Sequence, residues 1–441
     1  MNAPVRVIGA GLAGSEAAWQ CARRGIRVEL CEMRPARSTA AHQTDYFAEL
    51  VCSNSLKSDR ENTAPWLLKE ELRRAGSVLI EIAHACAVPA GHALAVDRTA
   101  FSRKVTATLS QEPLVTVIRE EVTRIGEDQI TIIATGPLTS ERLSQEIARL
   151  TGSAQLYFYD SISPIVEADS IDTSKVYRAA RYQRGTADYI NCPLSREAYE
   201  RFYDALVAAQ SVEKKDWEKL NYFESCLPIE EIARRGRDTL RFGPMKPVGL
   251  KDPRTGQPPY AVVQLRQENL RADSYNLVGF QNHLRFGEQE RILRLIPGLE
   301  NARFLRYGQM HRNTYINGPL LLRQTLETKS NAQIFFAGQI CGVEGYVESI
   351  ATGLLAGMHA ACRVEGIRSE GPPRASALGS LVHYVTQADA RNFQPANITF
   401  DLLPALSVPV RDREQRHRLQ CRSALEEFDR WLEELNPAMR T

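Results

Sequence analysis

The 441-residue sequence has no apolar run long enough to span a bilayer, no CxxC pair, no internal repeat and no low-complexity tract. The first absence predicts a chain that does not cross a membrane. The second argues against a disulfide frame or a zinc site: the nine cysteines, an odd number, are scattered as expected of reduced thiols in a cytoplasm. The expected first strand opens at Val5, which leaves no room for a signal peptide before it. Charge of one sign is also lacking. Fifty-five basic residues against 53 acidic ones leave a net charge of +2, so no global pull toward nucleic acid is expected. Lysine is scarce, at ten of the 55 basic residues. Arginine suits phosphate and planar stacking contacts, but a genome-wide composition bias would give the same count, and composition does not decide the partner. A length of 441 residues, 43% hydrophobic and 24% charged, fits a globular chain of two domains, or of one with a sizeable insertion.

What is present begins at the start. Val5-Arg6-Val7-Ile8 reads as a buried strand, followed by Gly9, Ala10, Gly11, Leu12, Ala13 and Gly14 at GxGxxG spacing, then by an apolar-periodic helix carrying Ala17, Ala18, Cys21 and Ala22. This is the strand, tight turn and helix start of a dinucleotide-binding unit. Gly9 allows the turn, Gly11 lets the backbone approach a pyrophosphate, and Gly14 lets helix pack on strand. The helix N-terminus offers free N–H groups and a positive dipole end to phosphates. A second strand, Ile26 to Cys31, ends at Glu32, where a carboxylate can bond ribose hydroxyls, which favours FAD or NAD over NADP.

Further strands are expected at Ala93–Val96, Leu114–Ile118 and Gln129–Ala134, and helices from the Thr63/Pro65 start and from Asp97 to about Leu109. The strand ending in Ala134-Thr135-Gly136-Pro137 looks like the second FAD contact of two-dinucleotide-fold flavoproteins. From about Thr151 strand–helix alternation weakens, and aromatics, arginines and prolines crowd into a stretch that includes a charged helix, Ser195 to Trp217, and a strand, Tyr260 to Leu265. Gln333 to Gln339 then restores a strand, and Gly338, Gln339, Gly342, Gly345 and Tyr346 lead into a small-residue helix. That segment resembles the third FAD contact of glutathione-reductase-like enzymes. The expected architecture is therefore α/β: a Rossmann-like FAD-binding domain of the glutathione-reductase type in two parts, 1–152 and 329–441, with an inserted α+β substrate domain at 153–328. The last helix carries Leu425, Phe428, Leu432 and Leu435 on one face, for internal packing or a dimer surface.

A disulfide reductase would carry CxxxxC in the first helix region, and none is present. The informative cysteines are Cys52, in VCSNSLKSD, and Cys226, in YFESCLPIE; the ordinary alternative for either is a small buried filler. Together with GAGLAGSEAA, GLKDPRTGQPPYAVVQLRQEN, RYGQMHRNTYINGP, GQICGVEGYVES and FQPANITFDLLP, these segments resemble the folate- and FAD-dependent tRNA uracil-5-methyltransferases, the TrmFO family, over nearly the whole chain. The larger GidA-type relative, which modifies wobble uridines, carries a C-terminal helical region for which this chain has no room.

The resemblance implies methylation of the T-loop uridine of tRNA at C5. The carbon would come from 5,10-methylenetetrahydrofolate and the electrons through FAD, recharged by NADH or NADPH. It assigns Cys226 to attack on C6 and places Cys52 near the flavin as base, adduct partner or stabiliser, an exchange of these roles staying open. Glu224 is a candidate acceptor of the C5 proton, against a merely solvated carboxylate, and Cys341 stands where the family often has a hydroxyl. Arg234, Arg235, Arg237 and Arg241 are the candidate phosphate contacts to the tRNA T-arm, against a merely solvated basic face. The flavin motifs alone are equally compatible with a small-molecule oxidoreductase, a wobble-uridine-modifying relative or a noncatalytic flavin-bearing tRNA-binding protein.

Overall fold

The computed structural model describes residues 3–39, 41–152, 156–183, 186–212 and 227–435. A five-stranded parallel sheet forms one half, in the order Ile334–Phe336, Thr131–Ile133, Val5–Ile8, Val28–Cys31 and Val115–Ile118. Its strands are short apolar runs, as expected where helices cover both faces. Every strand expected of this sheet is present: Val5–Ile8 has its expected bounds and the others are one to four residues shorter than the run that announces them.

The helix Leu12–Ala22 and the long helix Tyr346–Glu365 cross with almost no side chain between them. A Cβ on Gly353 would collide with the carbonyl oxygen of Ala13, and one on Gly357 would lie 2.6 Å from that of Ala17. Small residues at these positions are what lets the two backbones meet. The helix Ala64–Arg74 follows the Thr63/Pro65 signal, but Thr63 does not cap it: its hydroxyl is turned back to the Arg60 carbonyl, at 2.8 Å, and to Ser58. The Arg98–Gln111 helix is capped as expected, the Asp97 carboxylate accepting the Ala100 N–H at 2.9 Å.

The second half is built on a six-stranded antiparallel sheet ordered Tyr177–Arg178, Ile190–Leu194, Ala261–Gln267, Ser274–Leu277, Ile165–Glu167 and Phe304–Arg306. It has its own apolar core, in which Tyr199, Phe202 and Leu206 of the helix Arg196–Val207 pack toward Phe280 and Leu265. That helix opens at the expected Ser195, whose hydroxyl caps it, but stops at Val207; Trp217, its expected end, lies outside the described residues. A two-stranded ribbon, Leu156–Ser161 with Met310–Tyr315, runs between the halves. The apolar face of the C-terminal helix, Arg413–Leu435, is spent inside the chain. Leu425, Phe428 and Leu435 are buried, Leu432 is half-buried, and the helix packs toward Ala64–Arg74.

Gly353→Val should lower the unfolding free energy by about 1–3 kcal/mol, the usual cost of overpacking, as read from denaturant melts. An unchanged midpoint would contradict the close helix crossing.

Candidate active site

The glycine turn lies at the carboxyl end of the central parallel strand, where ligands bind in open α/β sheets. Its three glycines do three different things. Gly9, at φ +98°, has the chain of Ala134 and Thr135 so close that a Cβ would stand 2.7 Å from the Ala134 carbonyl oxygen. On Gly14 a Cβ would run into the Gly9 carbonyl. Around Gly11, the residue at the helix start, there is open space: nothing lies within 4 Å of a Cβ built there. That space belongs to a groove lined also by Leu12, Ala13, Glu32, Thr135 and Gly136 and closed at its far end by Gly338, Gln339 and Tyr346.

Of the remaining expected cofactor residues, Ala10 and Gly345 shape the site without lining it. The Ala10 N–H donates to the Glu32 carboxylate at 3.0 Å, and Gly345, at φ +115°, starts the long helix beside Lys57. Glu32 is nearly buried and also accepts Arg34 N–H and Arg34 Nε–H, at 3.0 and 2.8 Å. Burial would push its carboxyl up, but the bonds and charge of Arg34 outweigh this and hold it below the ordinary glutamate range. Arg34 in turn donates to Glu49 at 3.2 Å. The sequence reading missed both partners, although a buried arginine two residues past the acidic strand end was visible as EMRP.

Cys52 sits on the loop at the groove's far end. Its backbone N–H and that of Ser53 both donate to the Tyr346 hydroxyl oxygen, at 2.8 and 3.1 Å, so one phenol touches both the groove and the cysteine loop. Burial, and then the neighbouring Cys52 sulfur, push the Tyr346 hydroxyl well above the ordinary tyrosine range and keep it protonated. Arg98 grips the loop from the other side, donating to the carbonyls of Leu50 and Cys52 at 2.7 and 3.2 Å. Its other edge is held by Glu268, which also accepts from Asn276. Burial works against the Arg98 charge, and Glu268 more than restores it. Asn54, fully buried, donates to Val96 and Gln267 carbonyls at 3.0 and 2.9 Å and accepts from Arg266 at 3.0 Å. Arg306 completes the surroundings: its charge and that of Arg98 both act on Cys52. Among the eight described cysteines, Cys52 alone is not buried. Cys341 is a filler, and burial pushes its thiol up to about 12.

Cys226 and Glu224 lie outside the described residues. None of the four expected RNA-contacting arginines lines the groove. Arg234 pairs with Glu231 at 2.8 Å, Arg237 with Asp204 at 2.7 Å while covering the Tyr203 ring, and Arg241 with Asp238 at 2.9 Å while lying 3.7 Å over the Tyr260 ring. Arg235 ends the short helix Ile229–Arg234, its N–H donating to the Ile232 carbonyl at 3.2 Å. Arg234, Arg237 and Arg241 thus each carry their own carboxylate.

A parallel sheet with this glycine turn, an acid at the end of the second strand and an antiparallel sheet inserted before the last parallel strand defines an FAD-binding α/β protein of the glutathione-reductase type. The family model described as "Glucose inhibited division protein A" matches residues 4–368. The Koribacter versatilis protein named methylenetetrahydrofolate–tRNA-(uracil-5-)-methyltransferase TrmFO is 70% identical over 437 residues, covering 98% of each chain. The protein of that name from Solibacter usitatus is 62% identical over 440 residues, covering 98% of this chain and 99% of its own. The chain belongs to the TrmFO family. The structure of Aquifex aeolicus GidA in its form II crystal superposes with a TM-score of 0.69 at 17% identity, covering 98% of this chain and 73% of that one. At that identity the likeness concerns the fold alone.

Gly11→Val should fold with a near-unchanged melting temperature yet purify with little flavin, because its side chain fills the groove and no protein atom. Gly9→Val should lose both. Absorbance at the flavin bands and a thermal melt on each variant check this; a yellow Gly11→Val protein would remove the groove assignment.

Proposed function

We propose that this chain transfers the one-carbon unit of 5,10-methylenetetrahydrofolate to C5 of the T-loop uridine of tRNA, giving 5-methyluridine, in a cytoplasmic setting. The observation that carries the reading is the union of groove and thiol. The one accessible described cysteine hangs from Tyr346, a wall of the dinucleotide groove, with two guanidinium groups acting on it. We take 1–152 and 329–441 as the two parts of the FAD-binding domain and 153–328 as the substrate domain. Among the described residues no helix is long and apolar enough to cross a membrane.

The groove fits FAD by its own features. Open space over Gly11 and the N–H groups of the helix start suit a pyrophosphate, and ionised Glu32 suits a ribose. Thr135, Gly136, Gly338, Gln339 and Tyr346 would carry the remainder toward Cys52. When bound, FAD supplies the reducing equivalents that turn a transferred methylene into a methyl, and NADH or NADPH recharges it.

The chain's own task is to make C5 of uracil nucleophilic. That carbon reacts once a nucleophile adds at C6, and a thiolate serves because it is far more nucleophilic than a thiol. Cys226 is assigned that attack. Cys52 is assigned to the flavin side, where Arg98 and Arg306 provide the electropositive surroundings that favour a thiolate. Tyr346 and Arg98 hold its main chain so that the sulfur keeps one position. The uridine must be swung out of its stack to reach this site, at about a few kcal/mol, which contacts to the tRNA backbone have to offset.

Incubation with unmodified tRNA transcript, labelled methylenetetrahydrofolate and NADPH should place label in the tRNA; its absence would remove the proposal. Cys226→Ala should abolish transfer while retaining flavin. If Cys52→Ala leaves transfer and flavin both intact, its placement beside the cofactor is wrong.

A further inference from the structure

The GLKDPRTG stretch, which the reaction as derived does not use, builds an exposed surface on the edge of the antiparallel sheet. Asp252 anchors it. Its carboxylate is held by Arg254 through backbone N–H and guanidinium, at 3.0, 2.9 and 2.7 Å, and its carbonyl accepts the Gly256 N–H at 2.8 Å. With Leu250 buried ahead of it, the turn is rigid and displays Lys251 to solvent. Gly249 provides a seat for a tyrosine ring: a Cβ there would stand 3.0 Å from the ring atoms of Tyr182. Tyr182 itself is held at φ +59°, a left-handed conformation costly for an aromatic residue, by an N–H bond of 2.7 Å to the Gly249 carbonyl. The effect is to keep its ring 59% exposed, and Phe242, just before the same loop, is 80% exposed.

The charges beside these rings differ from those of the neighbouring arginine cluster. Lys246 and Lys251 are exposed, and among the described residues neither has a carboxylate partner. Arg181 donates to the Gln264 side chain at 3.0 Å and to the Val248 carbonyl at 2.8 Å, again without a carboxylate. Two displayed aromatic rings and three uncompensated cations form the pattern that grips unstacked bases and phosphates of a single-stranded RNA loop.

The strand Ala261–Gln267 links this surface to the cysteine. Gln264 holds Arg181 at one end, and the Gln267 carbonyl accepts from Asn54, two residues past Cys52, at the other. Three residues of extended strand span about 10 Å. We propose that Tyr182, Phe242, Lys246 and Lys251 form the surface on which the loop of the tRNA lands, rings under bases and lysines on phosphates, so that the target base can be turned toward Cys52. This rests on the methyltransferase reading, since it names where that substrate is gripped.

The test is filter binding of unmodified tRNA transcript to the FAD-loaded full chain across a salt series. Phe242→Ser should raise Kd about tenfold with the salt slope unchanged. Lys246→Gln and Lys251→Gln should each weaken binding and flatten the slope by about one. A fully paired RNA duplex, which offers no open bases, should lose affinity with the lysine variants but not with Phe242→Ser. All these side chains are exposed, so melting temperature and flavin content should hold. Parent-like Kd values in all three variants would overturn the inference while leaving the methyltransferase reading standing. So would a changed sedimentation state with unchanged tRNA affinity, which would make the surface a self-association face. Failure of the parent chain itself to methylate tRNA would instead remove the reading on which the inference rests.

Discussion

The ion pair between Arg98 and Glu268 joins residues 170 positions apart and, with Asn54, fastens the Cys52 loop of the parallel-sheet half to the antiparallel sheet. Taking two charges out of water costs several kcal/mol each, so such a pair adds little net stability; removing either partner costs about 3–5 kcal/mol because the other charge is left buried alone. What the pair provides is position. Two further donors on that guanidinium go to carbonyls of the loop, those of Leu50 and Cys52, and Glu268 is oriented by Asn276 from the neighbouring strand. The groove is made by one sheet and the thiol is aimed by the other. The reaction proposed for the chain therefore depends on the two halves keeping their relation.

How much of this could be read from the sequence follows from how local each feature is. The glycine turn was legible because Gly9 and Gly14 are required by contacts within the turn or with the adjoining strand end, Gly11 opens onto the groove, and Glu32 falls at the spacing a second strand imposes. The parallel sheet was legible for the same reason, each strand being a short apolar run flanked by a helix. The hold on Cys52 was not, since Arg98, the Glu268–Asn276 pair and Tyr346 come from three distant segments, and nothing local to any of them points at the cysteine. Thr63 had the right residue type for a helix cap, yet its hydroxyl found a nearer carbonyl in the turn before it.

The arginine cluster at 234–241 shows the opposite fault, a strong signal read without its neighbours. Glu231 and Asp238 precede Arg234 and Arg241 by three residues, the helical spacing at which opposite charges meet. Those two pairs were written in the sequence; only the Arg237–Asp204 pair required the fold. Lysines 246 and 251 are fewer and less conspicuous, but they stand in turns with no acid at such a spacing, which leaves their charge outward.

The Tyr346 hydroxyl accepts the N–H groups of two consecutive residues of the cysteine loop. A phenolic oxygen has two acceptor sites and one proton to give. With both acceptor sites taken by main chain, it can only donate to anything further. The groove thus carries a fixed polarity at its far end: a guest placed there is met by a hydrogen rather than a lone pair, and must answer with an acceptor atom. Because the same oxygen carries the loop, that polarity cannot be reversed without letting go of the cysteine.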